Sequence, residues 1–231
     1  MLTKREKNSI LHAVCIGDGY LRIPGRFGKT ARVPGYKPKN YQLTIQHDIK
    51  QLDFLRWKRD LLEECLGKKI NIRINERWNH DRTGKRKLCT LTISDAKFNK
   101  VYNRLYKEKN KILSKKLLNR IDERGLAIWF GDDGWGGIII GKRYGKVYPN
   151  QRYKRIHIST QCFDSKSLDN FISYLKDKWD IDSLAHAEAP KLGKNNKRIC
   201  IQRQESSSRF LEIVIPYLRK IKSMEHKLCE I

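Results

Sequence analysis

Apolar and polar positions along the 231-residue chain switch between two spacings, one helical and one alternating, and the order of switches occurs twice. The first run opens with a short apolar helix, LHAVCIGDG at 11–19. After it come the strand-like YLRI, a Gly/Pro/basic loop PGRFGKTARVPGYKPK, and the alternating strand YQLTIQH. The amphipathic DIKQLDFLRWKRDLLEECLG places Leu52, Leu55, Leu62 and Leu66 at helical spacing. Strands KKINIRINER and LCTLTI flank a polar turn, and the helix DAKFNKVYNRLYKE ends the half. The second run repeats the order. LAIWFGDDG at 126–134 is followed by WGGIIIG, a basic loop at 141–155, YKRIHIST, the helix DSKSLDNFISYLKDKWD, strands DSLAHAEAP and NKRICIQR, and the helix SSSRFLEIVIPYL. The pattern predicts an α+β fold of two pseudo-symmetric αββαββα halves, 1–110 and 111–231, with antiparallel sheets.

Both leading helices end on acid. Asp18 stands between Gly17 and Gly19, while Asp132 and Asp133 precede Gly134. Glycine is an ordinary helix terminator, but carboxylates are disfavoured there because the helix dipole already places partial negative charge at that end. A cation is expected nearby, and a divalent metal ion is the leading candidate. If the two helices pack together on a pseudo-twofold axis, the small residues Ala13, Gly17, Ala127 and Gly131 supply the close approach. Leu11, Val14, Ile16, Leu126, Trp129 and Phe130 then pack into their own halves.

Alternation leaves one face of each sheet polar. KKINIRINER sets Lys69, Asn71, Arg73, Asn75 and Arg77 opposite Ile70, Ile72 and Ile74. YQLTIQH sets Gln42, Thr44 and Gln46 opposite Leu43 and Ile45, and NKRICIQR sets Arg198, Cys200 and Gln202 opposite Ile199 and Ile201. Long donors of this kind suit base edges in a major groove. Charge points the same way: 50 Lys and Arg against 25 Asp and Glu give a net charge of +25 and a pI near 9.9. Such an excess calls for a polyanionic partner, and binding to it should weaken steeply with salt. Arg22, Arg26, Lys29 and Arg32, and Lys142, Arg143, Arg152, Lys154 and Arg155 with the adjoining His157, extend the basic surface through the two loops.

Other classes fit less well. No apolar run approaches the roughly 20 residues of a membrane span, and the segment after Met1 lacks the pattern of a signal peptide. Six scattered cysteines form no CxxC pair or zinc-spaced cluster, which suits reduced thiols in an intracellular protein of a bacterial cytoplasm or organelle matrix. The six histidines are likewise scattered and are assigned no catalytic or metal role.

The paired motifs, their separation by half the chain and the element order resemble the LAGLIDADG family of homing endonucleases, in the form with two motifs in one chain. The resemblance places Asp18 and Asp133 at the metal-binding acid of each motif, and Asp132 at a neighbouring position that is also acidic in some members. It implies Mg²⁺, with Mn²⁺ able to substitute, held by Asp18 and Asp133 with the backbone carbonyls of Gly17 and Asp132. It also implies a lysine for each site. The late segment IKSMEHKL offers Lys227, and KILS before the second motif offers Lys111, although Ser114 stands where the family carries proline and Lys109 or Lys116 is an alternative.

The implied activity is site-specific cleavage of double-stranded DNA by a monomer, across the minor groove, leaving short 3′ overhangs. A non-cleaving nucleic-acid-binding protein is the alternative, either a maturase of its own intron RNA or a DNA-binding regulator. A ribosomal or chromatin-type basic protein would explain the charge but not the matched acidic helix ends. No intein splicing residues are evident, so a stand-alone endonuclease rather than an intein is expected, with a free-standing or intron-encoded gene left open.

Overall fold

Helix α1 (Lys4–Ile16) is started by a reciprocal cap: the Thr3 hydroxyl accepts from the Glu6 backbone N–H, and the Glu6 carboxylate accepts from that of Thr3. It packs along a second motif helix, Glu123–Asp133, whose N-cap Asp122 accepts from the Gly125 N–H at 2.9 Å. One buried hydroxyl ties the middle of α1 to the start of the second helix. Ser9 Oγ donates to Asp122 Oδ1 at 2.6 Å and accepts from the Asp122 N–H at 2.9 Å. A Cβ on Gly125 would stand 2.2 Å from Ser9 Oγ, and one on Gly17 would stand 2.4 Å from Asp132 Oδ2. Glycine therefore permits close approach at both ends of the crossing. Gly131 corrects the sequence expectation: a Cβ there would meet the ring of Phe54 at 2.4 Å, so its small size makes room for an aromatic rather than for the partner helix.

The computed structural model describes residues 1–22, 40–78, 84–143, 146–187 and 197–228. After α1 come β1 (Tyr20–Arg22), β2 (Tyr41–Asp48), α2 (Leu52–Leu66), β3 (Ile72–Trp78), β4 (Lys85–Asp95) and α3 (Lys97–Leu105). A linking segment holds the two-residue strands β5 (Tyr106–Lys107) and β6 (Asn110–Lys111) and the short α4 (Lys115–Leu118). The second motif helix is α5, followed by β7 (Gly134–Arg143), β8 (Lys146–Ile158), α6 (Ser165–Trp179), β9 (Leu184–Ala187), β10 (Lys197–Ile201) and α7 (Gln204–Leu218). A 3-10 turn, Lys222–Lys227, ends the described chain.

The two four-stranded antiparallel sheets have matching orders, β1-β2-β4-β3 and β7-β8-β10-β9. Their registers also match. Tyr20 pairs with Thr44 and Leu21 with Leu43, as Trp135 pairs with His157 and Gly136 with Ile156. The αββαββα order therefore holds in both halves, and the division expected after residue 110 falls inside β6. On one sheet face Leu43, Ile45, Ile156, Ile158, Ile199 and Ile201 are buried against the helices in one continuous core.

Three local expectations change. Residues 141–155 are not a loop: β7 and β8 form a long hairpin through most of them, with a register shift at Ile140/Gly141. This run lacks the apolar alternation that marks a half-buried strand, so periodicity could not reveal it. Lys69 and Asn71 lie ahead of β3, which starts at Ile72. The apolar side of β3 is not uniformly buried either, since Ile74 and Trp78 are 56% and 63% exposed. That edge strand and its partners Lys85, Arg86 and Lys87 run past the helical cover.

Gly125→Val should destabilise the fold by about 1–3 kcal/mol through overpacking at the Ser9 crossing. Urea unfolding measures this, and an unchanged midpoint would contradict the close approach.

Candidate active site

The C-termini of α1 and α5 lie side by side, and each presents backbone carbonyls with no partner inside its helix. A lysine occupies each end. Lys111 Nζ donates to the carbonyls of Ile16, Gly17 and Gly19 at 3.1, 2.9 and 3.0 Å. Lys227 Nζ, almost fully buried, donates to those of Gly131 and Asp132 at 2.7 and 3.2 Å. Of the three lysines considered near the second motif, the geometry brings Lys111 to the helix end. Glu108 and Lys109 both adopt positive φ, 49° and 77°, in the two-residue turn between β5 and β6, and that turn delivers Lys111. Lys116 lies on α4.

The three acids stand in different environments. Asp132 has no exposed side chain and both its oxygens are engaged: Oδ1 pairs with Lys58 Nζ at 2.6 Å and Oδ2 accepts the Asp18 N–H at 3.2 Å. Asp18 is 41% exposed at its side chain, and its Oδ2 lies 3.5 Å from His47 Nδ1. Asp133 accepts from the Trp129 indole N–H at 3.1 Å. Among the described residues neither Asp18 nor Asp133 has a lysine or arginine salt-bridge partner. Burial, then the neighbouring Asp132 charge, pushes the Asp18 carboxyl up to about 6. Burial followed by Asp132 and Asp18 pushes Asp133 up to about 7. Both shifts come first from lost solvation and then from neighbouring acids, against which the surrounding lysines act only in part.

His47 and Lys58 are the residues that sequence reasoning missed. His47 Nε2 lies 2.7 Å from Lys58 Nζ and 3.7 Å from Asp132 Oδ1, so Lys58 bridges the two. Burial, then the Lys58 charge, lowers His47 to about 4, and the ring is neutral at physiological pH. Ligand atoms of Asp18, His47 and Asp132 fall within 4.8 Å of one another, which is a possible metal trio. The Lys58 ammonium already sits against Asp132 and His47, however, and holds the cation position between them. Asp18 and Asp133 are the acids left to take a further cation. The carbonyls of Gly17 and Asp132 each spend one lone pair on a lysine and keep the other.

The polar sheet face is partly tied together. Arg22 Nε donates to Gln42 Oε1 at 2.7 Å, and Gln46 Nε2 donates to Thr90 Oγ1 at 2.8 Å. Thr44 is half-buried beside them. Arg22, Gln42, Lys69, Asn71 and Arg73 line one concavity with Thr90 and Thr92, and Asn75 and Arg77 are exposed farther along β3. The threonines of β4 went unremarked, although their alternation with Leu91 and Ile93 was available. In the second sheet Lys154, Arg155, His157 and Arg198 are half-buried and Gln202 is exposed. Trp135, 45% exposed, stands 5.2 Å from the His157 ring. Lys142, Arg143 and Arg152 lie on the hairpin strands by backbone, but their side chains are outside the described part. Arg26, Lys29 and Arg32 lie outside the described residues altogether. Among the described residues no helix is long and apolar enough to cross a membrane.

Residues 16–211 match the sequence model of the LAGLIDADG DNA endonuclease family. The homing endonuclease I-WcaI, solved bound to its DNA recognition sequence, shares the fold with a TM-score of 0.72 at 22% identity, over 100% of this chain and 90% of that one. The meganuclease I-SmaMI, solved on uncleaveable DNA, aligns with a TM-score of 0.52 at 13% identity, over 94% of this chain and 83% of its own. Protein RecA of Mycolicibacterium chitae is 28% identical over 201 residues, covering 84% of this chain and 42% of that protein. The chain thus spans less than half the length of the curated relatives it matches.

Lys58→Met would leave the Asp132 carboxylate buried and unpaired, and should cost about 3–5 kcal/mol of stability. The double variant Lys58→Met/Asp132→Asn should recover most of that loss in urea unfolding. Equal instability of the single and double variants would contradict the pairing.

Proposed function

The chain belongs to the LAGLIDADG DNA endonuclease family, and we propose that it is a site-specific double-strand DNA endonuclease of the homing type. It acts as a monomer on a long asymmetric target and hydrolyses one phosphodiester in each strand across the minor groove, leaving short 3′ overhangs. The observation that carries this reading is the pair of acids at converging helix ends. Neither Asp18 nor Asp133 has a lysine or arginine salt-bridge partner among the described residues, and both carboxyls are held well above the ordinary carboxylate range.

The donor set fits a hard divalent cation: two carboxylates, with the carbonyl oxygens of Gly17 and Asp132 beside them. Mg²⁺, with Mn²⁺ as a substitute, is the ion proposed. When bound, such an ion supplies an activated water and stabilises the leaving 3′ oxygen. The chain supplies position and charge. Asp18 serves one strand and Asp133 the other, while Lys111 and Lys227 set an ammonium at each helix end, where it neutralises the carbonyl ends and faces an incoming phosphate. The donors of the two sheets, Arg22, Gln42, Gln46, Arg73, Asn75 and Arg77 in the first and Lys154, Arg155, His157, Arg198 and Gln202 in the second, contact phosphates and base edges. Phosphate contacts fix register and base contacts carry sequence. Matching sheet orders in one chain provide two such surfaces without a second subunit, which supports the monomer.

Asp18→Asn and Asp133→Asn should each abolish double-strand cleavage of a target-bearing duplex while retaining binding in a mobility-shift assay. Unchanged cutting by either variant would overturn the assignment. A wild-type chain that binds its duplex tightly and never cuts it would point to a maturase or regulator.

A further inference from the structure

We propose that His47 and Lys58 are positioning residues for Asp18 alone, so that the two strands of a target are cut by unequal machinery and these residues govern one of the two cuts. The inference rests on the endonuclease reading above.

The pseudo-symmetry of the fold makes the inequality visible. The matching registers set Leu43 and Ile45 of β2 against Ile156 and Ile158 of β8, so the next inward position, His47, corresponds to Thr160. Helices α2 and α6 begin after the same interval, have the same length, and stop at a left-handed residue, Gly67 with φ 67° and Asp180 with φ 52°. Lys58 therefore corresponds to Phe171. In the motif helices Asp132 corresponds to Gly17.

Around Asp18 these residues close a ring. The Asp18 N–H donates to Asp132 Oδ2 at 3.2 Å, and Lys58 donates to Asp132 Oδ1 at 2.6 Å and to His47 Nε2 at 2.7 Å. His47 Nδ1 returns to Asp18 Oδ2 at 3.5 Å, and Gln51 is a further hydrogen-bond neighbour of the same imidazole. An ammonium can only donate, so His47 Nε2 must accept and the proton of the neutral ring sits on Nδ1, on the side of Asp18. Lys58 and Asp132 have no exposed side-chain surface and His47 has 3%, so packing holds the whole arrangement in place.

Among the described residues no such ring surrounds Asp133. Thr160 donates to the Lys197 carbonyl at 3.0 Å, and Phe171 stacks on Trp129 with ring centroids 4.2 Å apart. Asp133 is held through one oxygen by the Trp129 indole. Around Asp18 thus stand a buried acid reaching across from α5, a buried cation and a histidine, whereas the corresponding positions around Asp133 are held by Gly17, Phe171 and Thr160. Groups that orient a ligating carboxylate set how well it holds its ion, and their loss typically costs about 10–100-fold.

The test uses a duplex that the wild-type chain cuts, with each strand separately labelled, and follows the first cut in each strand under single-turnover conditions. His47→Leu and the charge-balanced Lys58→Met/Asp132→Asn should slow the same strand by about 10–100-fold and let a nicked intermediate accumulate. His47→Gln, which keeps an N–H donor, should restore much of that strand's rate. Trp129→Phe, which keeps the stack and removes the indole N–H, should slow the opposite strand. A second readout needs no cleavage: nitrogen-15 histidine spectra of the metal-free chain should show His47 as the Nδ1–H tautomer, and the double variant should release that preference. Equal slowing of both strands, or an Nε2–H tautomer in the wild type, would overturn the inference and leave the endonuclease reading standing. A wild-type chain that cuts neither strand of the duplex it binds would remove both.

Discussion

Two helix C-termini pressed together, each carrying acid, form the constraint on which the rest of the structure depends. The helices bring their negative dipole ends and three carboxylates into one small volume, an arrangement that repels itself unless positive charge enters from elsewhere. The chain supplies some of that charge. Lys111 and Lys227 take the orphan carbonyls, and Lys58 takes Asp132. What remains uncompensated is centred on Asp18 and Asp133, whose carboxyls burial and the neighbouring acids push up. Under the endonuclease reading proposed above, a divalent cation offsets that charge.

The crossing also explains why the sheets stand where they do. Ser9 and Asp122 pin the middle of α1 to the start of α5, glycines let the backbones approach, and Trp129 and Phe130 reach into the second half through Phe171 and Phe210. Each sheet follows directly from the end of its motif helix, so the acids and the exposed Tyr20 and Trp135 lie at the root of the two polar faces. The acids at the helix ends and the polar donors of the strands are thereby fixed relative to one another by a few residues.

Much of this was legible in the sequence because periodicity and repetition report on burial. The αββαββα order, both motif helices and the strand face of Gln42, Thr44 and Gln46 could be read from alternation. The β7–β8 hairpin could not, since its distal part offers too little apolar contrast, and two-residue strands such as β5 and β6 leave no period to detect. Ala13 and Gly17 marked the helix crossing, while Gly131 misled because small size alone does not say which neighbour it accommodates. His47 and Lys58 escaped for another reason: their meaning lies in tertiary contact with Asp132, far away in the chain. A signal did exist, since Lys58 interrupts the buried stripe of Phe54, Leu55 and Leu62, where a charge survives only with a partner.

The most direct test of the central claim is to incubate the purified chain with a duplex library, once with Mg²⁺ and once with EDTA, and to sequence both the bound DNA and any new ends. The account predicts metal-dependent ends in both strands at one long site with a fixed short 3′ stagger. Recovery of a bound site with no new ends in Mg²⁺, or ends formed equally in EDTA, would contradict it.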